Sequence, residues 1–245
     1  MLLSPSIKWF ALQQQRRRRR NRLNTGNSIL PNVPADCVLR LSAGDLGASE
    51  GDTVPWWPDS SGNGSDAWQD AEANQPTFYV VDFAGKTFPI LQFDADDDGM
   101  ATPVVITGAF SIFTLWRPNN LSQTAIISSG SLDWSMGTNG GGMLCYFTDW
   151  SAGGTVNTND FFLFEARIIP GEQPTAIYLN GTQAALVHDG GSSAPQQVTL
   201  GTSGLNGYPA DCDCAEILIY DRFLSDEEAA GVRAYFQQQY NYLKQ

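Results

Sequence analysis

Short strand-like segments separated by turn residues fill the chain between residues 37 and 220, and no other feature restricts its fold as strongly. In residues 162–168 the apolar side chains fall on one face of a strand, whereas Glu165 and Arg167 fall on the other. Asn180-Gly181 separates two further strand-like runs, which is the strongest short signal for a β-hairpin. The pattern predicts an antiparallel β protein.

The hydrophobic period changes near the end of the chain. Ser225 and Glu228 have the spacing of a capping box, in which each side chain bonds the backbone of the other residue. One stripe of the predicted helix, which spans about residues 226–243, carries Val232, Phe236, Tyr240 and Leu243. Many strands followed by one short helix predict a two-sheet β-sandwich from about residue 36 to residue 224.

Charge divides the chain into two parts. Lys8, Arg16–Arg20 and Arg22 are seven of the fourteen basic residues, and no acidic residue precedes Asp36. Residues 1–35 therefore carry +7, and the remainder carries −19 because it has seven basic residues against 26 acidic ones. We predict a basic N-terminal arm and linker over residues 1–35 and one folded domain over residues 36–245.

Membrane insertion, export and disulfide bonding are not expected from this sequence. No apolar run approaches the ~18 residues that cross a bilayer. The N-terminal apolar residues precede QQQRRRRRNR, which reverses the order found in a secretory signal peptide. Cys37, Cys145, Cys212 and Cys214 are too few and too scattered for a disulfide framework, so we predict free, mostly buried thiols.

Five segments match the motifs of a known family in the same order. They are WPDSSGNGSDA at 57–67, LQFDADDDGM at 91–100 (with Ala95 where glycine is usual), FSIFTLWRP at 110–118, IYLNG at 177–181 and AEILIYDRFLSDEEAAGVRAYFQQQY at 215–240. The chain resembles the laminin-G-like, concanavalin A-like jelly-roll domains of bacterial and phage proteins from about Asp36 to Tyr242. The resemblance implies an all-β, two-sheet antiparallel jelly roll with a short C-terminal helix. It leaves function open, since the family includes lectins, glycan hydrolases, adhesion modules and spacers.

Four carboxylates follow one strand closely. Asp94, Asp96, Asp97 and Asp98 lie within five residues, and Ca²⁺ prefers six to eight oxygen ligands. The spacing lacks the bidentate Glu of an EF-hand loop, so the alternative is a solvated acidic turn. We therefore predict no bound cofactor or metal, with these four residues as the candidate Ca²⁺ ligands.

No catalytic group is predicted. Retaining glycan hydrolysis needs two carboxylates about 5 Å apart, and the best strand has only Glu165. The single histidine, His188, lies in a loop-like segment without a nucleophile-elbow serine or cysteine. These observations predict a chain that is not an enzyme.

Tryptophans near predicted loops are the candidates for glycan binding. They are Trp56, Trp57, Trp68, Trp134 and Trp150. Asp133 and Asp149 adjoin the last two and could accept hydrogen bonds from sugar hydroxyls, so this pair of tryptophans and its two aspartates form the predicted site. The alternative is burial within the sandwich or against a neighbouring subunit, because tryptophan is also a common core and interface residue.

The N-terminal arm has the composition of a docking segment. Trp9 and Phe10 are predicted anchors, and Arg16, Arg17, Arg18, Arg19, Arg20 and Arg22 are predicted to meet an acidic surface. An arm joined to a jelly roll resembles the architecture of phage virion components such as capsid decoration proteins, head fibres and tail components. We predict a non-enzymatic virion structural or adhesion protein, assembled in the host cytoplasm.

The expected partners follow from that prediction. They are other virion subunits, further copies of this chain and a host surface glycan, with nucleic acid expected only through the arginine-rich arm. The alternative functions are a bacterial carbohydrate-binding module and a glycan hydrolase of the concanavalin A-like superfamily.

Overall fold

A computed structural model describes residues 33–122, 124–130, 135–139, 143–147, 151–171, 175–187, 194–201 and 209–243. The arm predicted over residues 1–35 therefore lies almost entirely outside the described residues. The strands are β1 (Leu39–Ser42), β2 (Trp56–Trp57), β3 (Ala67–Trp68), β4 (Thr77–Phe83), β5 (Lys86–Asp94), β6 (Met100–Ile106), β7 (Phe110–Pro118), β8 (Thr124–Ser129), β9 (Ser135–Asn139), β10 (Met143–Phe147), β11 (Ser151–Gly153), β12 (Phe162–Ile168), β13 (Thr175–Leu179), β14 (Thr182–Val187), β15 (Gln196–Leu200) and β16 (Asp211–Tyr220). One α-helix follows, α1 (Asp226–Tyr240), and two 3₁₀ turns span Ala43–Asp45 and Glu72–Asn74.

The strands form two antiparallel sheets. Sheet A has the order β14-β13-β12-β7-β16-β5-β4, with β1 also paired to β16, and sheet B has the order β11-β10-β9-β8-β15-β6-β3-β2. Half of the strand pairs join strands that are not consecutive in sequence, and the chain crosses repeatedly between the two sheets. This confirms the predicted all-β, two-sheet antiparallel jelly roll with a short C-terminal helix. No described helix has the length and apolar character needed to span a membrane.

The main core lies between the two sheets. Trp57, Phe93 and Trp116 are among its fully buried side chains. Cys212 and Cys214 also face this core, and Cys37 is buried near the helix side. These three cysteines are free, which confirms that part of the prediction, while the side chain of Cys145 lies outside the description.

A second core lies between sheet A and helix α1. Every residue of β7 except Arg117 is buried, because one face of this strand meets sheet B and the other meets the helix. Glu165 and Arg167 do point away from the main core as predicted, but they are 0% and 3% exposed. The helix therefore converts what the alternation alone would make a solvent face into a buried one.

Helix α1 begins with the predicted capping box. The Ser225 hydroxyl accepts a hydrogen bond from the Glu228 backbone N–H, and the Glu228 carboxylate accepts one from the Ser225 N–H at 2.9 Å. The predicted end at residue 243 is wrong, because Asn241 adopts a left-handed conformation with φ of 51° and stops the helix after Tyr240. Leu243 consequently lies beyond the helix and is 39% exposed.

The predicted hairpin connects β13 and β14. Asn180 and Gly181 have φ angles of 53° and 79°, the two positive values that a type I′ turn requires. A Cβ at Gly181 would lie 2.8 Å from the Arg233 side chain of helix α1, so this turn packs directly against the helix.

Candidate functional site

A row of side chains crosses the outer face of sheet B. Residues that pair directly across antiparallel strands share one face of the sheet, and the register joins Trp56 to Trp68, Trp68 to Ala101, Ala101 to Thr199 and Thr199 to Ser128. The row spans β2, β3, β6, β15 and β8 with about 4.8 Å between neighbouring strands. We call these five residues the sheet B row.

The sheet B row is accessible at one end and buried at the other. Trp56, Trp68, Ala101 and Thr199 are half-buried, whereas Ser128 is fully buried. The hydroxyl oxygens of Ser128 and Thr199 lie 3.2 Å apart, within hydrogen-bond distance. The row therefore presents two aromatic rings and then a hydroxyl pair that recedes into the protein.

Two further side chains extend this face beside the row. Gln197 pairs with Val105 on the same side of the sheet, both are exposed, and Val105 is 61% accessible. None of the eight strands of sheet B, as described, contains Asp, Glu, Lys or Arg. The residues named on this face thus offer indole, methyl, hydroxyl and amide groups and no charged group.

A tight loop fixes the two tryptophans. The loop between β2 and β3 folds around the buried Asp59 carboxylate, which accepts hydrogen bonds from the backbone N–H groups of Ser61, Gly64 and Ser65 at 2.8–3.0 Å. Asp59 Oδ1 also accepts from the Arg40 N–H of β1, which ties the loop to sheet A. The DSSGNG motif therefore has a structural role and holds the β2–β3 hairpin in place.

The arrangement suits a ligand with apolar faces and many hydroxyl groups. Indole rings provide flat apolar area at low entropic cost, and each carries one N–H donor. Thr199 and Gln197 supply groups that both donate and accept hydrogen bonds. A sugar ring presents C–H groups on its faces and hydroxyls at its rim, which matches these two kinds of group.

The tryptophans considered in the sequence separate into three groups. Trp56 and Trp68 pair with each other on the accessible face. Trp57 and its strand partner Ala67 lie on the opposite face, in the main core, and both are 0% exposed. The predicted glycan site lies outside the described residues; it comprises Trp134, Trp150, Asp133 and Asp149. Thr199 and Gln197 were missed, and the only sequence signal for them is the absence of charge from their strand.

The acidic turn after β5 brings three of its four aspartates together. Carboxylate oxygens of Asp94, Asp97 and Asp98 lie within 4.8 Å of one another, and Asp96 is not part of this group. Asp94 and Asp97 are exposed, but Asp98 is only 4% exposed, so the turn is not uniformly solvated. Burial, reinforced by the Asp94 charge, raises the pKa of Asp98 to about 6. These three carboxylates are the ones that could hold a cation.

We expect Asp98→Asn to stabilise the protein near pH 7.5 and to have no effect at pH 4. Because the folded-state pKa of Asp98 lies above its unfolded value, protonated Asp98 favours folding at low pH, and this contribution is lost as the pH rises through about 6. The free energy of unfolding at pH 7.5 should rise by about 1 kcal/mol. This is less than the full pKa shift of Asp98 implies, because the turn lies at the protein surface. Urea unfolding at both pH values, in a chelating buffer, measures it.

An equal effect of Asp98→Asn at pH 4 and pH 7.5 would contradict the titration argument. Asp96→Asn is the matched control, since it removes an exposed charge from the same turn. Repeating the pH 7.5 measurement with added Ca²⁺ separates a cation site from an acidic turn, because a bound ion would stabilise the wild type and not the Asp98 variant.

Glu165 and Arg167 hold helix α1 against sheet A. Arg233 of the helix donates a hydrogen bond from Nη1 to Glu165 Oε2 at 2.8 Å, and Arg167 Nε lies 2.7 Å from Glu165 Oε1. Arg167 also donates to the Leu224 carbonyl just before the helix. Burial raises the pKa of Glu165, and the two arginines oppose that shift. His188 lies outside the described residues.

Comparison with known proteins gives structural matches only. No protein-family model matches the chain, and no curated protein matches it. Domain 4 of AbnA, a GH43 extracellular arabinanase from Geobacillus stearothermophilus solved with arabinotriose, matches with a TM-score of 0.57 and 17% identity over 82% of this chain and 98% of that one. The binding domain of Paraclostridial Mosquitocidal Protein 1 matches with a TM-score of 0.55 and 12% identity over 83% and 52% of the two chains. These proteins share the fold.

Sialidase from Trypanosoma rangeli is a further structural neighbour. Its complex with sialic acid matches with a TM-score of 0.55 and 12% identity over 84% of this chain, but this chain spans only about a third of the sialidase, 34%. The prediction of a non-enzymatic chain is contradicted, because the arabinanase and the sialidase that contain this fold are enzymes. The prediction rested on the lack of a carboxylate pair in one strand and of a nucleophile elbow near His188, and such a search does not detect catalytic groups placed elsewhere on a polypeptide.

Proposed function

We propose that this chain is a glycan-binding β-sandwich domain whose ligand lies on the accessible part of the sheet B row. The observation that carries the proposal is that half-exposed Trp56 and Trp68 share one row with Thr199, separated from it by Ala101, on strands without a charged residue. The tryptophans would stack on sugar rings, and Thr199 and Gln197 would bond the hydroxyls at the rims.

The arabinanase domain supports this proposal by its shape and its ligand. It matches nearly its whole length with this chain, and it was solved in complex with a trisaccharide. At 17% identity the likeness extends to the fold alone, so the binding residues named here come from the geometry of this chain.

Trp56→Ala and Trp68→Ala should each weaken glycan binding about tenfold or more. A buried or half-buried tryptophan anchor contributes on the order of 2 kcal/mol to an interface, which exceeds the 1.4 kcal/mol of a tenfold change. A glycan array that includes arabinotriose identifies the ligand, and titration calorimetry then measures the affinity of each variant.

Phe223→Ala is the matched control, because Phe223 is a partly exposed aromatic residue beside helix α1 and Arg167, on the sheet A side. Unchanged affinity in both tryptophan variants, with the fold intact by circular dichroism, would refute the proposed site. The predicted residues at 133–134 and 149–150 are tested in the same way, and a loss confined to Trp134→Ala or Trp150→Ala would place the ligand there instead.

We further propose that residues 1–35 attach this domain to a larger assembly. The support is the separation of +7 from −19 along the chain, together with Trp9 and Phe10 next to the arginine run. Attraction between the basic arm and an acidic surface of the assembly would accelerate their association. Contacts of the two aromatic residues would then slow dissociation. The virion as the assembly, with its subunits as partners, rests on the sequence alone.

Deletion of residues 1–35 should abolish attachment and lower the oligomeric state. Replacement of Arg16–Arg20 by serine should slow attachment and reduce its salt dependence, whereas Trp9→Ala with Phe10→Ala should speed dissociation. Analytical ultracentrifugation and surface plasmon resonance against the purified particle measure both effects. An unchanged oligomeric state and unchanged incorporation after the deletion would contradict the arm's role.

A further inference from the structure

We infer that the ligand of the sheet B row is a neutral glycan and that glycans carrying carboxylates, such as sialylated or uronic-acid chains, are excluded. The inference rests on the proposed function and specifies its ligand class. It depends on where the chain places its positive charges.

Every basic residue among those described is paired on the sheet A side of the sandwich. Their partners are as follows: Arg40 pairs with Glu216, Arg117 with Asp213, Arg167 with Glu165 and Asp226, Arg222 with Asp36 and Glu228, Arg233 with Glu165, and Lys86 donates to the carbonyls of Gln238 and Gln239. These residues belong to sheet A, to helix α1 or to the segment that joins them. None is on a strand of sheet B.

The sequence extends this statement to segments beyond the described residues. Residues 118–166 and 168–221 contain no Lys or Arg, and His188 is their single histidine. Residues 41–85 and 87–116 contain no Lys, Arg or His either. The loops that connect the strands of sheet B therefore supply no permanent positive charge, whatever their conformation.

An anionic sugar would be poorly stabilised on such a face. Carboxylates bound by proteins are usually met by arginine or lysine, since charge-assisted hydrogen bonds offset the loss of hydration. Here the carboxylate would instead approach a domain of charge −19, and the sequence between its strands carries Asp133, Asp149 and Asp189 and no Lys or Arg. Neutral sugar hydroxyls lose no ionic hydration and are not repelled by the negative charge of the domain. They can also form hydrogen bonds with the hydroxyl and amide groups of Thr199 and Gln197.

Matched pairs of glycans test the inference on the full chain. The pairs are lactose with 3′-sialyllactose, and unsubstituted xylo-oligosaccharide with its glucuronic-acid-substituted form, alongside arabinotriose as a further neutral probe. We expect the array to show binding to neutral members, and any neutral glycan that binds should lose at least tenfold in affinity when a carboxylated residue is added. The affinity for the neutral member should also be the same at 50 mM and 500 mM salt, because no ion pair forms.

The outcomes distinguish the two proposals. If the acidic glycan of a pair binds as tightly as the neutral one or more tightly, and Trp56→Ala weakens that binding, the neutral-ligand inference is overturned. The proposed glycan-binding function would then still hold. Binding of no glycan on the array would overturn the proposed function and this inference with it.

A charge placed on the face gives a second measurement. Thr199→Lys introduces a cation beside the sheet B row, and Thr199→Gln is the control that changes size without charge. If the ligand binds this face, the ratio of the affinities for the neutral and the acidic glycan of a pair should be at least threefold smaller in Thr199→Lys than in Thr199→Gln. The same difference in both variants would contradict the inference, provided that both remain folded by circular dichroism.

Discussion

Glu216→Ala is expected to lower the free energy of unfolding by about 3–5 kcal/mol, a large part of the 5–15 kcal/mol typical of a whole domain. Glu216 is 0% exposed on β16, beneath helix α1. Its carboxylate accepts a hydrogen bond from Arg40 Nε at 2.8 Å, from the Tyr235 hydroxyl at 2.8 Å and from the Tyr240 hydroxyl at 2.5 Å. Removal of the carboxylate leaves the half-buried Arg40 guanidinium and two buried tyrosine hydroxyls without this acceptor.

Urea unfolding of the wild type and Glu216→Ala measures this effect. Glu227→Ala is the control, because it removes an exposed carboxylate from the first turn of the same helix. The double variant Arg40→Met with Glu216→Leu should be less destabilised than the sum of its two single variants, since it removes the charge pair as a unit. A loss below about 1 kcal/mol for Glu216→Ala would show that the hydrogen bonds to Glu216 contribute little to holding the helix.

Gly201→Ala is expected to cost about 3 kcal/mol or more. Gly201 follows β15 with φ of +77°, a left-handed conformation that costs an alanine ~1–2 kcal/mol. A Cβ there would also press against the Phe93 ring of sheet A and lie 2.7 Å from the Asp98 carbonyl oxygen, and overpacking of this kind costs ~1–3 kcal/mol. The glycine permits the close approach of the two sheets at this point.

Gly171→Ala separates the two contributions. Gly171 has φ of +81°, close to that of Gly201, but a Cβ at this position meets nothing within 4 Å. Its alanine variant should therefore lose only the ~1–2 kcal/mol of backbone strain. Thermal or urea unfolding of both variants measures the difference, and equal losses would show that the sandwich adjusts to the added methyl group at residue 201.

Local patterns in the sequence predicted the fold well where they depend on neighbouring residues. Ser225 with Glu228 predicted the capping box, and Asn180-Gly181 predicted the hairpin turn, because each motif is completed within a few residues. The helix end was wrong by three residues, since the left-handed Asn241 interrupts an apolar stripe that continues in the sequence to Leu243.

The candidate site was not predictable from local patterns. Trp56 and Trp57 are adjacent in sequence, yet one faces outward and the other lies in the core, and only the strand register determines which is which. Thr199 lies two strands from Trp68 in the same row, with Ala101 between them, although it comes about 130 residues further along the chain. Asp98 was expected in a solvated turn, and its burial depends on the packing of the turn against the rest of the domain.

The reactivity of the buried cysteines can report how often sheet A opens locally. Burial raises the pKa of Cys37 and of Cys214 to about 12 and raises that of Cys212 as well, so the reactive thiolate is scarce at neutral pH in the folded state. A thiol-labelling reagent would therefore modify these positions chiefly through unfolded or locally opened molecules. Cys212 and Cys214 lie on β16 within sheet A, and Cys37 lies beside β1 and β16. The rates at which the three thiols are modified would therefore measure local opening of that sheet without any introduced probe.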